Sequence, residues 1–173
     1  MTLEPTVANA FIAGYKKLLL QIADRSRASE ARNVLPMMVS ARRRLIENPA
    51  LLDEALAELK ARSQVLDDEI SRAVRTLRVE NWVFLRDTKT YSIFLQPSGD
   101  AAFAVLGLTE RVRDIVGSSG VVIETGIIRF AGRFVCDGLV TRIVHLGPNY
   151  RKSYSRAYSA AKSKGLFHVR DEA

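Results

Sequence analysis

The sequence has little of the residues that build disulfide, metal or fibrous frameworks. Its 173 residues include one cysteine, two histidines, five prolines and ten glycines. With so few cysteines and histidines there is no C-x-x-C pair or His cluster, so we expect no metal site and no cofactor. The low glycine and proline content excludes a collagen-like or linker-like chain. A lone Cys136 cannot form an internal disulfide, which favours a reducing, cytoplasmic location.

Membrane and catalytic signatures are absent as well. No apolar run approaches the roughly 20 residues of a membrane-spanning helix, so we expect no membrane span. Glycine motifs for phosphates, G-x-x-x-x-G-K-[ST] and G-x-G-x-x-G, do not occur. Cys136 and His145 are too far apart on either a continuous strand or a hairpin to act as a nucleophile–base pair. An enzyme would need a pocket made from scattered polar residues such as Asp87, Glu124, Asp137 and His145, and we predict no catalytic residues.

What the sequence has in excess is positive charge. The formal net charge is +7. Residues 1–80 carry 13 basic and 11 acidic side chains, and residues 81–173 carry 13 and 8, so the second half is the more positive. Of the two halves, the second is therefore the more favourable place for an anionic partner, although a surplus of this size is common in proteins that bind no nucleic acid. The triplet Arg42-Arg43-Arg44 points in different directions on a helix, so we interpret it as a solvated face.

The first 80 residues have helical periodicity throughout. Apolar residues at three-, four- and seven-residue spacings predict a first helix from residue 6 to about residue 27. A shorter second helix is predicted from about residue 35 to residue 46. Its start at Leu35-Pro36 suits proline, which has no N–H to leave unpaired in a first helical turn.

The strongest pattern is a leucine-rich seam in the third helical segment. Asn48-Pro49 is a helix start signal, and one continuous helix is predicted from Pro49 to Leu77. Apolar positions alternate in steps of four and three over nearly four heptads, as in a coiled coil. The predicted association seam consists of Leu52, Leu56, Leu59, Leu66, Ile70 and Leu77.

Such a seam requires a partner, because each large apolar side chain left in water forgoes about 1.5–3 kcal/mol. The first helix could fold back on the seam as a hairpin within the chain. A second copy of the chain could cover it instead, which would make the protein a homo-oligomer, with a dimer favoured. Both arrangements could coexist in a dimeric helical bundle.

After residue 80 the periodicity changes to that of strands. Three short runs rich in aromatic and β-branched residues, 82–85, 91–95 and 102–106, are separated by turn residues and predict an antiparallel meander. Thr109 is expected to cap a short helix, 110–116, that ends at Gly117. Residues 121–146 predict more sheet, with Asp137-Gly138 as the favoured hairpin turn and Ala131-Gly132 as the rival.

The last element is a helix that opens at Gly147-Pro148 and ends at Gly165. Three tyrosines at intervals of four residues form one stripe, and basic residues surround them without any carboxylate. Tyrosine rings can stack on bases while the cations neutralise phosphates. The alternative is that the tyrosines pack the helix onto the sheet. The candidate residues for nucleic acid or another polyanion are Tyr150, Arg151, Lys152, Tyr154, Arg156 and Tyr158.

Together these patterns predict an α+β fold with two regions. Residues 1–80 form a helical association region, a hairpin or bundle containing the long helix. Residues 81–173 form an antiparallel α+β module with a short helix and a C-terminal helix. The favoured function is a non-enzymatic interaction or assembly module that oligomerises through its N-terminal helices. Polyanion binding through the last helix is the alternative, and an enzyme without a recognisable motif is the third possibility.

Overall fold

A computed structural model describes residues 1–23 and 34–170 of the chain. The α+β fold class is confirmed: the described residues form six helices and a mixed sheet of seven strands. The helices are α1 (Pro5–Ile22), α2 (Val34–Glu47), α3 (Ala50–Ala61), α4 (Asp68–Arg75), α5 (Val112–Val116) and α6 (Pro148–Ser163). The strands are β1 (Arg78–Asp87), β2 (Ser92–Leu95), β3 (Ala102–Leu106), β4 (Val121–Phe130), β5 (Arg133–Cys136), β6 (Arg142–His145) and β7 (Phe167–His168).

The N-terminal helices match the predicted pattern only in part. Helix α1 starts at Pro5, where the Glu4 carboxylate accepts a hydrogen bond from the Val7 N–H at 3.1 Å. Helix α2 covers the second predicted segment. The predicted end of the first helix, near residue 27, lies outside the described residues. No helix in the described ranges combines the length and apolar character that crossing a membrane requires.

The single long helix predicted from Pro49 to Leu77 is wrong, because the chain breaks into α3 and α4. Ser63 takes a left-handed conformation with φ of 58°, which no α-helix accommodates. Asp67 then caps a new helix by accepting a hydrogen bond from the Glu69 N–H at 2.7 Å. The seam is therefore carried by two short helices and not by one long helix.

Strands β1 to β3 form the predicted antiparallel meander, and the sheet then closes into a barrel. The ring runs β1-β2-β3-β5-β4 and returns to β1, because β1 pairs with both β2 and β4. The predicted antiparallel module is a mixed sheet, because β3 pairs in parallel with β5 and with β7. Strand β6 pairs only with β4 and is not part of the ring, so it forms an edge of the sheet.

The prediction of a hairpin turn at Asp137-Gly138 is wrong. The turn forms at the alternative position, Ala131-Gly132. Strands β4 and β5 meet with Phe130 opposite Arg133, which leaves Ala131-Gly132 as a two-residue loop. Both residues have positive φ, 52° and 66°, as a type I′ turn requires. Asp137 instead lies at the end of β5, where its side chain is buried.

Helices α5 and α6 lie close to their predicted positions. Helix α5 ends at Gly117 with φ of 82°, but the residue at its N-cap is Arg111 and not Thr109. Helix α6 has Pro148 in its first turn, and Gly165 follows it with φ of 72°. The interior of the barrel is filled by aromatic and branched residues, including Trp82, Phe84 and Phe94.

Two further apolar clusters hold the helices on the outside of the barrel. Helices α1 to α4 pack against one side through a cluster that includes Phe11, Ile128 and Val135. Helix α6 packs against β1 to β3 through a cluster that includes Tyr158 and Ala161. The helical segment and the barrel therefore share a core, and the boundary predicted at residue 80 falls inside β1.

Candidate functional site

The predicted association seam lies against helix α1 of the same chain. Leu52, Leu59, Leu66 and Ile70 are between 2% and 7% exposed, and Leu56 and Leu77 are half-buried. The contact is close because α1 carries a glycine at the crossing: a Cβ on Gly14 would lie 2.8 Å from Cδ1 of Ile70. Most of the seam is thus covered within one chain.

The tyrosine stripe of α6 turns mainly towards the barrel. Tyr158 is 8% exposed, and its ring meets that of Phe167 edge-on at 5.3 Å. The Tyr154 hydroxyl donates a hydrogen bond of 3.0 Å to the backbone carbonyl of Pro97. Tyr150 alone of the three is open to solvent, at 66% exposure. Two of the three rings therefore anchor the helix, and Tyr150 is the one free to stack on a ligand.

The outer face of α6 is a surface of positive charge. The basic side chains at positions 151, 152, 156, 162 and 164 are exposed. Arg151 donates from Nε to the carbonyl of Leu146 at 2.9 Å. Within the described ranges, none of Lys152, Arg156 and Lys162 has a carboxylate within ion-pair distance. We call the side chains of Arg151, Lys152, Arg156, Lys162 and Lys164 the α6 basic face.

Two serines of α6, Ser155 and Ser159, donate their hydroxyl hydrogens to the backbone of the helix itself. Ser155 donates to the carbonyl of Arg151 at 2.9 Å, and Ser159 donates to the carbonyl of Ser155 at 3.1 Å. Both hydroxyls are therefore satisfied by their own helix. The long cationic side chains remain the groups that reach into solvent.

The polar residues considered for an enzyme do not converge. Asp87 accepts a hydrogen bond from Ser92 at 2.7 Å at one end of β1. Glu124 is half-buried on β4, and His145 is exposed on the edge strand β6. Among residues 1–23 and 34–170, no group of three or more His, Cys, Asp or Glu side chains could hold a metal ion.

Cys136 and His145 are also held apart. Cys136 lies opposite Ile127 of β4, and His145 lies opposite Val121, six residues away along the same strand. That separation is about 20 Å. Burial raises the pKa of the Cys136 thiol to about 11, with a further contribution from the Asp137 carboxylate. The thiol therefore stays protonated and unreactive near neutral pH.

The expectation that the arginine triplet is a solvated face is wrong for Arg42. This residue is 2% exposed, and its Nη1 donates to both carboxylate oxygens of Asp137, at 2.8 and 3.1 Å. Nη1 also lies 2.7 Å from the carbonyl of Leu139. A buried arginine has no sequence signature when its partner is 95 residues away.

The Asp137 carboxylate has a full set of donors in addition to Arg42. Its oxygens accept hydrogen bonds from the Tyr15 and Thr125 hydroxyls at 3.3 and 3.2 Å. The backbone N–H groups of Gly126 and Leu139 donate to Oδ1 at 3.1 and 3.0 Å. Burial raises the pKa of the Tyr15 hydroxyl well above its ordinary value, and the Asp137 charge adds to the effect. This satisfied cluster ties α1 and α2 to the barrel and has a structural role.

No protein-family model matches this chain, and no curated protein or solved structure is significantly similar to it.

Proposed function

We propose that this protein is a non-enzymatic binding module that holds a polyanion, such as a nucleic acid, against the α6 basic face. The observation that carries the proposal is the set of four exposed cations on α6 and a fifth, Lys164, at its C-cap, in a segment that has no acidic residue. Side chains of this kind bind phosphates by displacing condensed counterions. The exposed ring of Tyr150 adds a surface on which a base can stack.

The position of the cations on α6 supports the proposal that an anion binds there. Arg151 lies in the first turn of α6 and Lys152 directly follows that turn, which contains no acidic residue. The N-terminus of a helix is the positive end of its dipole, where cations are disfavoured by about 0.3–1 kcal/mol. A bound phosphate would relieve this repulsion. If α6 had no anionic partner, carboxylates in place of these cations would stabilise its N-terminus better.

In this barrel, helix α6 is a more accessible surface for a polyanion than the face of the sheet. In five-stranded Greek-key barrels of the OB type, the face of strands 2 and 3 binds oligonucleotides. Here the outer face of β1 to β3 is covered by α6, whose Ala161 and Tyr158 pack on Ile93 and Leu95. A polyanion would therefore have to bind the solvent side of α6. At 16 residues the helix is about 24 Å long, enough to follow roughly seven phosphates of one strand.

The proposal is tested by fluorescence anisotropy with labelled single-stranded and duplex DNA at several salt concentrations. A triple variant, Lys152→Gln, Arg156→Gln and Lys162→Gln, removes three charges from the α6 basic face. We expect at least a tenfold loss of affinity. The logarithm of the wild-type affinity should fall with the logarithm of the salt concentration, with a slope of about −3 to −4 for four phosphates neutralised.

A matched control separates this surface from general electrostatics. Lys16, Lys17 and Lys60 are exposed on the helices on the other side of the barrel, and changing all three to Gln removes the same charge. This control should lose no more than about threefold. Equal losses in the two variants, or no binding by the wild type at low salt, would refute the proposal.

Self-association through the N-terminal helices has weaker support. The seam that motivated it is occupied by α1 of the same chain, so its leucines offer little apolar area to a second copy. An assembly of subunits would have to use a different surface. Among residues 1–23 and 34–170, the four polar residues considered for an enzyme, Asp87, Glu124, Asp137 and His145, do not converge on one pocket.

A further inference from the structure

Strand β6 has one side that no other described strand covers. It pairs only with β4, and all four of its residues, 142–145, are exposed. In an antiparallel sheet, successive residues of a strand direct their backbone N–H and C=O groups alternately to the two sides. The side of β6 away from β4 therefore carries backbone groups that have no strand to pair with.

The hydrogen bonds of β4 show which residues of β6 face this open side. Strand β1 occupies one side of β4, so β5 and β6 lie along the other. Gly126 of β4 accepts from the Asp137 N–H at 2.9 Å and thus faces the side of β5 and β6. By alternation, the residues two and four positions before Gly126 face that side too, and they pair with Arg142 and Val144. Arg142 and Val144 therefore direct their backbone groups to β4.

Ile143 and His145 are left to face the open side. Within the described ranges, the backbone N–H and C=O groups of these two residues have no hydrogen-bond partner. The edge thus offers two donors and two acceptors. Natural edge strands are usually protected by proline, lysine or a bulge. The centre of β6 instead has two apolar residues, Ile143 at 45% and Val144 at 51% exposure.

The open side of β6 is complementary to a second copy of itself. In an antiparallel pair with a two-fold axis at Val144, Ile143 of each copy lies opposite His145 of the other. Each of these two residue pairs exchanges two N–H···O bonds, so four bonds form and no open group is left over. A contact of this type uses the same surface on both subunits, as two-fold symmetry requires.

The side chains are compatible with the same register. The two copies of Val144 meet at the axis in a non-hydrogen-bonded pair, whose Cα atoms lie about 4.5 Å apart. Arg142 is the only Arg, Lys, Asp or Glu residue of β6. It lies opposite Leu146 of the other copy, so no like charges face each other directly across the strands.

We propose that two copies of the protein associate through their β6 strands, in an antiparallel pair centred on Val144. The pairing joins the sheets of the two copies along β6. An interface built on a strand of four residues is much smaller than that of a stable dimer, so we expect a dissociation constant of about 1 mM. At micromolar concentrations the protein is then a monomer. The inference does not rest on polyanion binding by α6, because it uses other residues.

The pairing is tested by ¹H–¹⁵N correlation spectra of the labelled protein from about 0.05 to 3 mM. We expect the amide protons of Ile143 and His145 to move downfield with concentration as they gain acceptors, and that of Val144 to move less. Sedimentation equilibrium over the same range measures the mass. Because each copy has a net charge of +7, added NaCl should strengthen the association. Polyanion binding weakens with salt, so the two proposals can fail separately.

Substitutions at the axis assign the association to β6. Val144→Lys places two ammonium groups against each other and should weaken it at least about tenfold. Val65→Lys is the matched control: Val65 is 75% exposed between α3 and α4, and the variant should stay within about twofold of the wild type. An equimolar mixture of Val144→Lys and Val144→Glu should restore the association, because unlike charges then meet at the axis.

Three results would overturn the proposal. One is a set of Ile143 and His145 amide peaks that stay fixed up to 3 mM, which would leave this edge to an extended segment of a different protein. Another is an equal loss in the lysine variants at positions 144 and 65. The third is a mixture of the lysine and glutamate variants that associates no better than either variant alone.

Discussion

Nη1 of Arg42 lies 2.8 Å from Oδ2 of Asp137, and the two side chains are 2% and 0% exposed. This ion pair joins helix α2 to the end of strand β5, 95 residues further along the chain. Because both charges are buried, each depends on the other: removing one leaves the second buried without its counter-charge.

We expect Arg42→Met to lower the free energy of unfolding by about 3–5 kcal/mol, since it leaves the Asp137 carboxylate buried and unpaired. Urea denaturation followed by circular dichroism measures the change. Arg43→Met is the matched control, because Arg43 is the exposed neighbour and should change stability by no more than about 0.5 kcal/mol. Similar losses in the two variants would contradict the structural role given to the pair.

Because the seam is buried within one chain, we expect the stability of the protein not to depend on its concentration. Leu59→Ala should cost about 2–5 kcal/mol, because Leu59 is only 2% exposed. If α1 covers the seam within one chain, the urea midpoint of the wild type should be the same from 1 to 100 μM protein. A midpoint that rises with concentration would instead indicate that a second copy stabilises the seam.

The break between α3 and α4 depends on the cap at Asp67. Asp67→Ala removes the acceptor for the Glu69 N–H and should cost about 1 kcal/mol. Asp68→Ala is the comparison: Asp68 lies in the first turn and contributes only through the helix dipole, about 0.3 kcal/mol. Thermal or urea unfolding distinguishes the two values. Equal effects would mean that the cap has no special part in starting α4.

The thiol of Cys136 provides a pH-dependent test of the barrel interior. Burial raises its pKa from 9.0 to about 11, so the folded protein keeps the thiol protonated where the unfolded chain ionises it. The resulting stabilisation is complete below pH 9 and is lost as the pH rises from 9 to 11. Cys136→Ala should therefore show a shallower loss of unfolding free energy over that interval than the wild type. Identical slopes would contradict the buried, protonated thiol.

The same burial makes Cys136 a probe of unfolding. As the sole cysteine, it should fail to react with a thiol reagent at pH 8 in the native protein and react fully in denaturant. Rapid modification of the native protein would show that the barrel opens under native conditions.

Elements set by neighbouring residues were predictable from the sequence. Helix α6 has both of its end signals, proline at its start and glycine after its end, within the pattern itself. The meander of β1, β2 and β3 follows from alternating apolar runs and local turn residues. The basic residues of α6 are predictable as candidates because the sequence places them on one helix without any carboxylate.

Features set by distant partners were not predictable. Asp137-Gly138 has the residue types of a hairpin turn, but Asp137 is buried and pairs with Arg42. The two residues are far apart in the sequence, so no local pattern predicts this pairing. Ser63 interrupts a pattern that otherwise continues across the break. Barrel closure depends on the pairing of β1 with β4, two strands that are distant in the sequence.

The 95 residues that separate Arg42 from Asp137 also set the order of events during synthesis. A ribosome adds about 5–20 residues per second, so Arg42 is made roughly 5 to 20 seconds before its counter-ion. During this interval α1 and α2 have no barrel to pack on, because β4 and β5 have not yet been translated. Until the barrel is made, the apolar residues of α1 that face it, such as Phe11, remain uncovered, and this delay is the period in which chaperones would have most to bind.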